Sequence, residues 1–154
     1  MGTSTNAYLM YGYDLGGGDS GWRVQGIDEY DDWEPEWLNE SEGLAESALN
    51  KLRAAAGFTE TDWRADGYFG RRNAIDEQLG VEIESHCSGD YPMYILAAKK
   101  FTAYRGDVKA LDAAELVAMV ADEDLDGKLA RALEVLAFRP VDKRPKWLLV
   151  SYWG

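Results

Sequence analysis

The sequence predicts an α+β fold: one domain over residues 1–154, with about four helices on a mixed or antiparallel sheet of about four strands, in the order βααββααβ. Three observations predict it. Segments that alternate with period two, or are apolar on both faces, stand at both ends and in the middle of the chain. Between them lie two pairs of segments with helical spacing of apolar residues. A length of 154 residues with 46% hydrophobic side chains suits a single buried core, and no internal repeat or linker marks a boundary.

Ala7 to Tyr13 is rich in Tyr and apolar on both faces, as a strand buried on both sides would be. It stops at the stretch from Asp14 to Gly21, which reads as a flexible loop. Trp22 to Ile27 is strand or coil. An acidic loop follows, near residues 28–37, and then Asn39 and Glu42 form a capping box. The helix it starts carries Leu44, Ala48, Leu52 and Ala55 and stops at Gly57. Arg71 to Leu79 is a second helix, with Ile75 and Leu79 inward and Gly80 closing it. Val81 to Ser88 alternates cleanly, with Val81, Ile83 and Cys87 on one face and Glu82, Glu84 and His86 on the other.

Ser88 to Pro92 is turn chemistry, and Met93 to Tyr104 returns as the second strand of a hairpin. Lys99 and Lys100 can then meet Glu82 and Glu84 across it. Asp112 and Glu115 start a third helix carrying Leu116, Val117 and Val120. The fourth has Leu129, Ala132, Leu133 and Leu136, the strongest helical pattern in the chain. Lys146 to Trp153 is a last strand, again apolar on both sides. The two terminal strands are therefore expected near the centre of the sheet, adjacent or nearly so, with Val81–Ser88 at an edge.

A net charge of −12 repels nucleic acid and anionic membranes and favours a basic partner over a phosphate backbone. The single cysteine, Cys87, excludes an intrachain disulfide. Met1 to Asn6 lacks the basic and apolar regions of a secretory leader, and Asn6 breaks a myristoylation signal. No window approaches the roughly 18 apolar residues that span a bilayer. The chain reads as cytoplasmic.

Several motifs could carry chemistry. Asp122-x-Asp124-x-Asp126-Gly127 matches the first half of a calcium loop, but its twelfth position is Leu133, and Asp126 as a helix cap explains the motif better. The glycine loop has neither P-loop nor dinucleotide spacing, and Asp14 and Asp19 would repel phosphate. No metal site and no cofactor is therefore expected. His86, Asp90 and Tyr91 surround the hairpin turn and offer an alternative pocket for a small ligand or an enzyme. His86 and Cys87 point to opposite faces, so no Cys–His nucleophile forms, and Cys87 reads as a small core residue. No catalytic residue is assigned.

The acidic-aromatic segment is the anomaly of the composition. Asp28, Glu29, Asp31, Asp32, Glu34, Glu36, Glu40 and Glu42 interleave with Tyr30, Trp33 and Trp37, and no Lys or Arg occurs between Arg23 and Lys51. Large rings among carboxylates resemble the aromatic core and charged rim of a binding surface. The alternative is that Trp33 and Trp37 fold back onto the core beside the helix start. A third reading is nucleic-acid mimicry. Over roughly 50 Å of extended chain these carboxylates reach about half the charge density of one DNA strand, so mimicry is allowed but not demanded.

His86-Cys87-Ser88-Gly89-Asp90-Tyr91-Pro92-Met93-Tyr94-Ile95-Leu96, the ending Pro145-Lys146-Trp147-Leu148-Leu149-Val150-Ser151-Tyr152-Trp153-Gly154 and the opening Ala7-Tyr8-Leu9-Met10-Tyr11-Gly12-Tyr13 resemble segments of small acidic accessory proteins of actinobacterial bacteriophages. That family has no established activity, so the resemblance implies a setting and no functional residues. The setting is a virus-encoded protein in a bacterial cytoplasm. The expectation is a non-enzymatic protein that binds a host macromolecule, a defence or regulatory component, through Asp28, Glu29, Tyr30, Asp31, Asp32, Trp33, Glu34 and Trp37.

Overall fold

A computed structural model describes residues 5–17, 20–28 and 31–153. Of the residues considered above, Met1 to Ser4, Gly18, Asp19, Glu29, Tyr30 and Gly154 lie outside the described residues. The elements run β1 (Thr5–Gly17), β2 (Gly21–Trp22), α1 (Gly43–Ala55), α2 (Tyr68–Leu79), β3 (Glu82–Cys87), β4 (Pro92–Ala103), α3 (Ala113–Asp122), α4 (Leu125–Leu136) and β5 (Lys146–Trp153). This is the expected α+β order with one short strand added. All pairings are antiparallel, and β1 carries the sheet: β4 runs along one side of it, and β5 and then β2 along the other.

The first strand outruns its expected stop at Asp14. It continues through Gly17 and pairs Gly16 with Trp22, so part of the glycine loop is strand. Two register shifts interrupt its ladder with β4, between Tyr11 and Gly12 and between Asp14 and Gly16. Bulges of this kind bend a strand and add twist. Gly12 sits in the first shift, where a Cβ would collide with the carbonyl oxygen of Leu96. The bent sheet curls until its outer strands β3 and β5 approach each other. On the concave side the curl buries Tyr8, Met10, Ile95 and Ala97, with Leu148 and Val150 against them.

The other face takes the helices. Leu44, Ala48 and Leu52 of α1 and Leu125, Leu129, Ala132 and Leu136 of α4 close over Tyr11, Leu15, Ile83 and Leu96. Neither α2 nor α3 buries a residue fully. What ties α2 down is an ion pair: buried Arg53 of α1 donates from Nε and Nη2 to both Asp76 oxygens, at 2.7 and 2.9 Å. Asp112 caps α3 by accepting from the N–H groups of Ala114 and Glu115, as its position predicts.

Several expectations are corrected. The terminal strands do pair, from Thr5 with Trp153 to Gly12 with Lys146, but β5 is not central. Among the described residues it pairs only with β1, and Leu149, in register with Leu9, is 76% exposed. The capping box does not form. The helix starts only at Gly43, Glu42 makes no side-chain cap, and the Asn39 N–H donates to Ser47 Oγ instead. Lys100 meets Glu84 and Glu82, at 2.9 and 3.3 Å, whereas Lys99 points to the opposite face and pairs with Glu123. Adjacent strand residues alternate, so both lysines cannot reach one face. Cys87 is exposed rather than buried: β3 ends there at φ 81°, where the alternation breaks into the turn. Asp126 does not cap α4 but accepts the Tyr11 hydroxyl at 2.7 Å, and Asp124 stands at the cap position with no cap hydrogen bond.

Candidate aromatic cleft

Among the described residues the segment after β2 holds no helix or strand, only the bridge from Val24 to Pro140, and its aromatic rings decide its path. Trp33 is 7% exposed and takes edge-on contacts from Trp22, Trp37 and Phe138, at centroid distances of 5.2, 6.0 and 4.8 Å. Trp37 is half-buried, and its Nε1–H donates to the Leu136 carbonyl at the end of α4, at 2.9 Å. Burial of an indole stabilises by a few kcal/mol, of order 25 cal/mol per Å² of apolar surface, so these rings hold the segment against the core. The acids between them stay in water: Asp28, Asp31, Asp32, Glu34 and Glu36 are exposed. Neither Trp is therefore a protruding anchor, and Trp33 is a core residue.

The same packing opens a cleft that sequence reasoning had not assembled. Between residues 33–44 and the hairpin turn lies a hollow of about 380 Å³. Trp22, Trp33, Tyr91 and Tyr94 are among its lining rings, and Glu40 and Asp90 are its charged side chains. Trp22 and Tyr94 stack on each other, parallel within 10° with centroids 5.9 Å apart. Tyr91 is 63% exposed. The Trp22 indole Nε1 is buried and finds no acceptor among the described residues. Burial pushes the Tyr94 hydroxyl pKa up. A second hollow, of about 560 Å³, is lined by Glu34, Glu36, Trp37, Lys51 and Phe138, and Trp33 lines both.

The two residue sets expected to act separately are thus partly merged. Asp90 and Tyr91, placed beside His86 by sequence, belong to the cleft with Trp33, whereas His86 lines a neighbouring hollow of about 260 Å³ that shares Gly43, Leu44, Pro92 and Tyr94 with the cleft. Glu82, Glu84 and His86 alternate onto the face that carries Ile95 and Ala97, while the turn carries Asp90 and Tyr91 to the cleft. Among the described residues no side-chain hydrogen bond joins His86 to Asp90 or Tyr91. His86 is half-buried and its Nε2 has no partner; burial lowers its pKa, partly opposed by Asp14 and Glu84. Trp22, Tyr94 and Glu40 were missed as cleft residues. Only the fold joins them, because β2 is a two-residue strand whose place is set by its pairing with Gly16 and Gly17.

Among the described residues no group of three or more His, Cys, Asp or Glu side chains is placed to hold a metal ion, and no helix is long and apolar enough to cross a membrane. Comparison of the chain with protein-family models, with curated proteins and with solved structures finds no match.

Proposed function

We propose that this chain is a non-enzymatic binding protein that engages a basic host protein through its acidic-aromatic face. The observation that carries the reading is the placement of Trp33. It is the shared wall of two surface hollows, and Glu34, Glu36, Glu40 and Asp90 line them. Aromatic surface beside unmatched carboxylates favours a cationic partner, by cation–π attraction and by charge. A chain of net charge −12 steers such a partner from a distance. The resemblance to phage accessory proteins supplies the setting, a bacterial cytoplasm and a host defence or regulatory component.

The test is capture of partners from host lysate by wild type and by a variant with Asp31→Asn, Asp32→Asn, Glu34→Gln and Glu36→Gln. These four side chains are exposed, so the fold is retained. Capture by the variant is expected to fall at low salt, chiefly through a slower association rate. Equal capture at low and high salt would remove the acidic segment from the function.

A further inference from the structure

At two other places in this molecule a lysine of the chain itself meets both a ring and a carboxylate. Lys100 Nζ sits 5.2 Å from the Tyr8 ring centroid and bonds Glu84 at 2.9 Å. Lys99 Nζ sits 5.8 Å from the Phe101 ring centroid and bonds Glu123 at 2.9 Å. The cleft repeats the arrangement of rings and carboxylates, but no Lys or Arg lines it. Among the described residues, Glu40 and Asp90 make neither an ion pair nor a side-chain hydrogen bond.

We propose that the cleft receives an arginine side chain of the partner protein, a proposal that rests on reading this face as a binding surface. The shape selects the guanidinium over an ammonium. The stacked Trp22–Tyr94 pair, with Trp33 edge-on to Trp22 at 72°, supplies aromatic rings to the lining. A planar, weakly hydrated guanidinium stacks on an aromatic ring, and its fork of N–H donors can serve carboxylates at the rim. An ammonium is a strongly hydrated point charge and gains less from a ring face. Some 380 Å³ holds one long side chain and its stem rather than a folded element. Tyr91, exposed at the hairpin turn, supplies apolar surface for that stem.

The experiment uses three Gly/Ser nonapeptides that differ at the central position: arginine, lysine or citrulline. Each is titrated into the full chain while the Trp22 and Trp33 indole N–H resonances are followed by NMR. The arginine peptide is expected to shift both indoles. The lysine peptide is expected to bind about fivefold more weakly, and citrulline, planar but neutral, about tenfold more weakly. The pair Glu40→Gln and Asp90→Asn is expected to weaken the arginine peptide about tenfold. Tyr91→Ala, at a more exposed position, gives a second variant should that pair disturb the fold. Equal binding of lysine and arginine, or of citrulline and arginine, overturns the arginine assignment, as does absence of any indole shift. The broader reading of the face falls separately, on unchanged lysate capture by the four-carboxylate variant.

Discussion

Replacing Asp76 by Ala is expected to release α2 from the domain without unfolding the rest. Arg53 is 5% exposed and makes four bonds, two to Asp76, one to Glu46 at 2.8 Å and one to Asn50 at 2.9 Å. The Asp76 hydrogen bond is the main reason its pKa is raised, ahead of the opposing effect of burial. Removing one partner of a fully buried pair costs about 3–5 kcal/mol, whereas an exposed pair is worth about 0–1 kcal/mol. Here the cation is buried but the Asp76 side chain is 32% exposed, and Glu46 and Asn50 still bind the guanidinium after the change. The cost of Asp76→Ala therefore falls between the limits, at about 2 kcal/mol.

That loss concentrates in α2, which has no fully buried residue to hold it otherwise. Hydrogen exchange of the Arg71 to Leu79 amides should accelerate about thirtyfold while α1 and α4 amides stay protected, since about 1.4 kcal/mol corresponds to tenfold. Arg53→Met removes the buried charge together with its pairing, so it should cost less than Asp76→Ala. Urea midpoints for the two variants check the order. An Asp76→Ala variant within about 0.5 kcal/mol of wild type, with α2 exchange unchanged, would refute the assignment of the ion pair as the tie.

Gly12→Ala tests the bend in β1: its Cβ meets the Leu96 carbonyl, which is backbone and cannot swing away, so a loss of about 1–3 kcal/mol in thermal or urea unfolding is expected. His86, the only histidine, gives a pH signature. Its folded-state pKa is lowered by burial, so the unfolded chain takes up its proton first on acidification. The stability His86 contributes is complete above its ordinary value of 6.5 and is lost as pH falls through the lower folded value. His86→Gln should flatten that part of the stability–pH curve and leave stability at pH 8 little changed; an unaltered slope would count against a partly buried imidazole.

The helices were legible in the sequence wherever apolar spacing met a real core. In α4, Leu129, Ala132 and Leu136 are buried as their period requires. Hairpin alternation placed β3 and β4 correctly, because register on a half-covered sheet is set by which residues face the core. What misled was reading apolar runs on both faces as a central position. In β1 that inference holds, since the sheet curls and buries one face against itself. In β5 the same pattern belongs to an edge strand, where Leu149 stays in water. A run of apolar residues reports two covered faces only if something covers them, and curvature, set by bulges and by Gly12, is invisible to periodicity.

The cleft was legible only in pieces, for a related reason. Composition marked Trp33 as unusual, and turn chemistry marked Asp90 and Tyr91, but they stand more than fifty residues apart. Their meeting depends on β2 and β4 lying at the same end of β1: Gly16 pairs with both Trp22 and Tyr94, which sets those rings side by side. A two-residue strand has no periodicity to read, so Trp22 carried no signal before the fold placed it. The burial of Trp33 also changes what the acidic segment means. The indole of Trp33 fixes the chain path as core, and the carboxylates are left along the outside of that path. The segment's aromatic residues thus hold the surface in place, and its acids give that surface its sign.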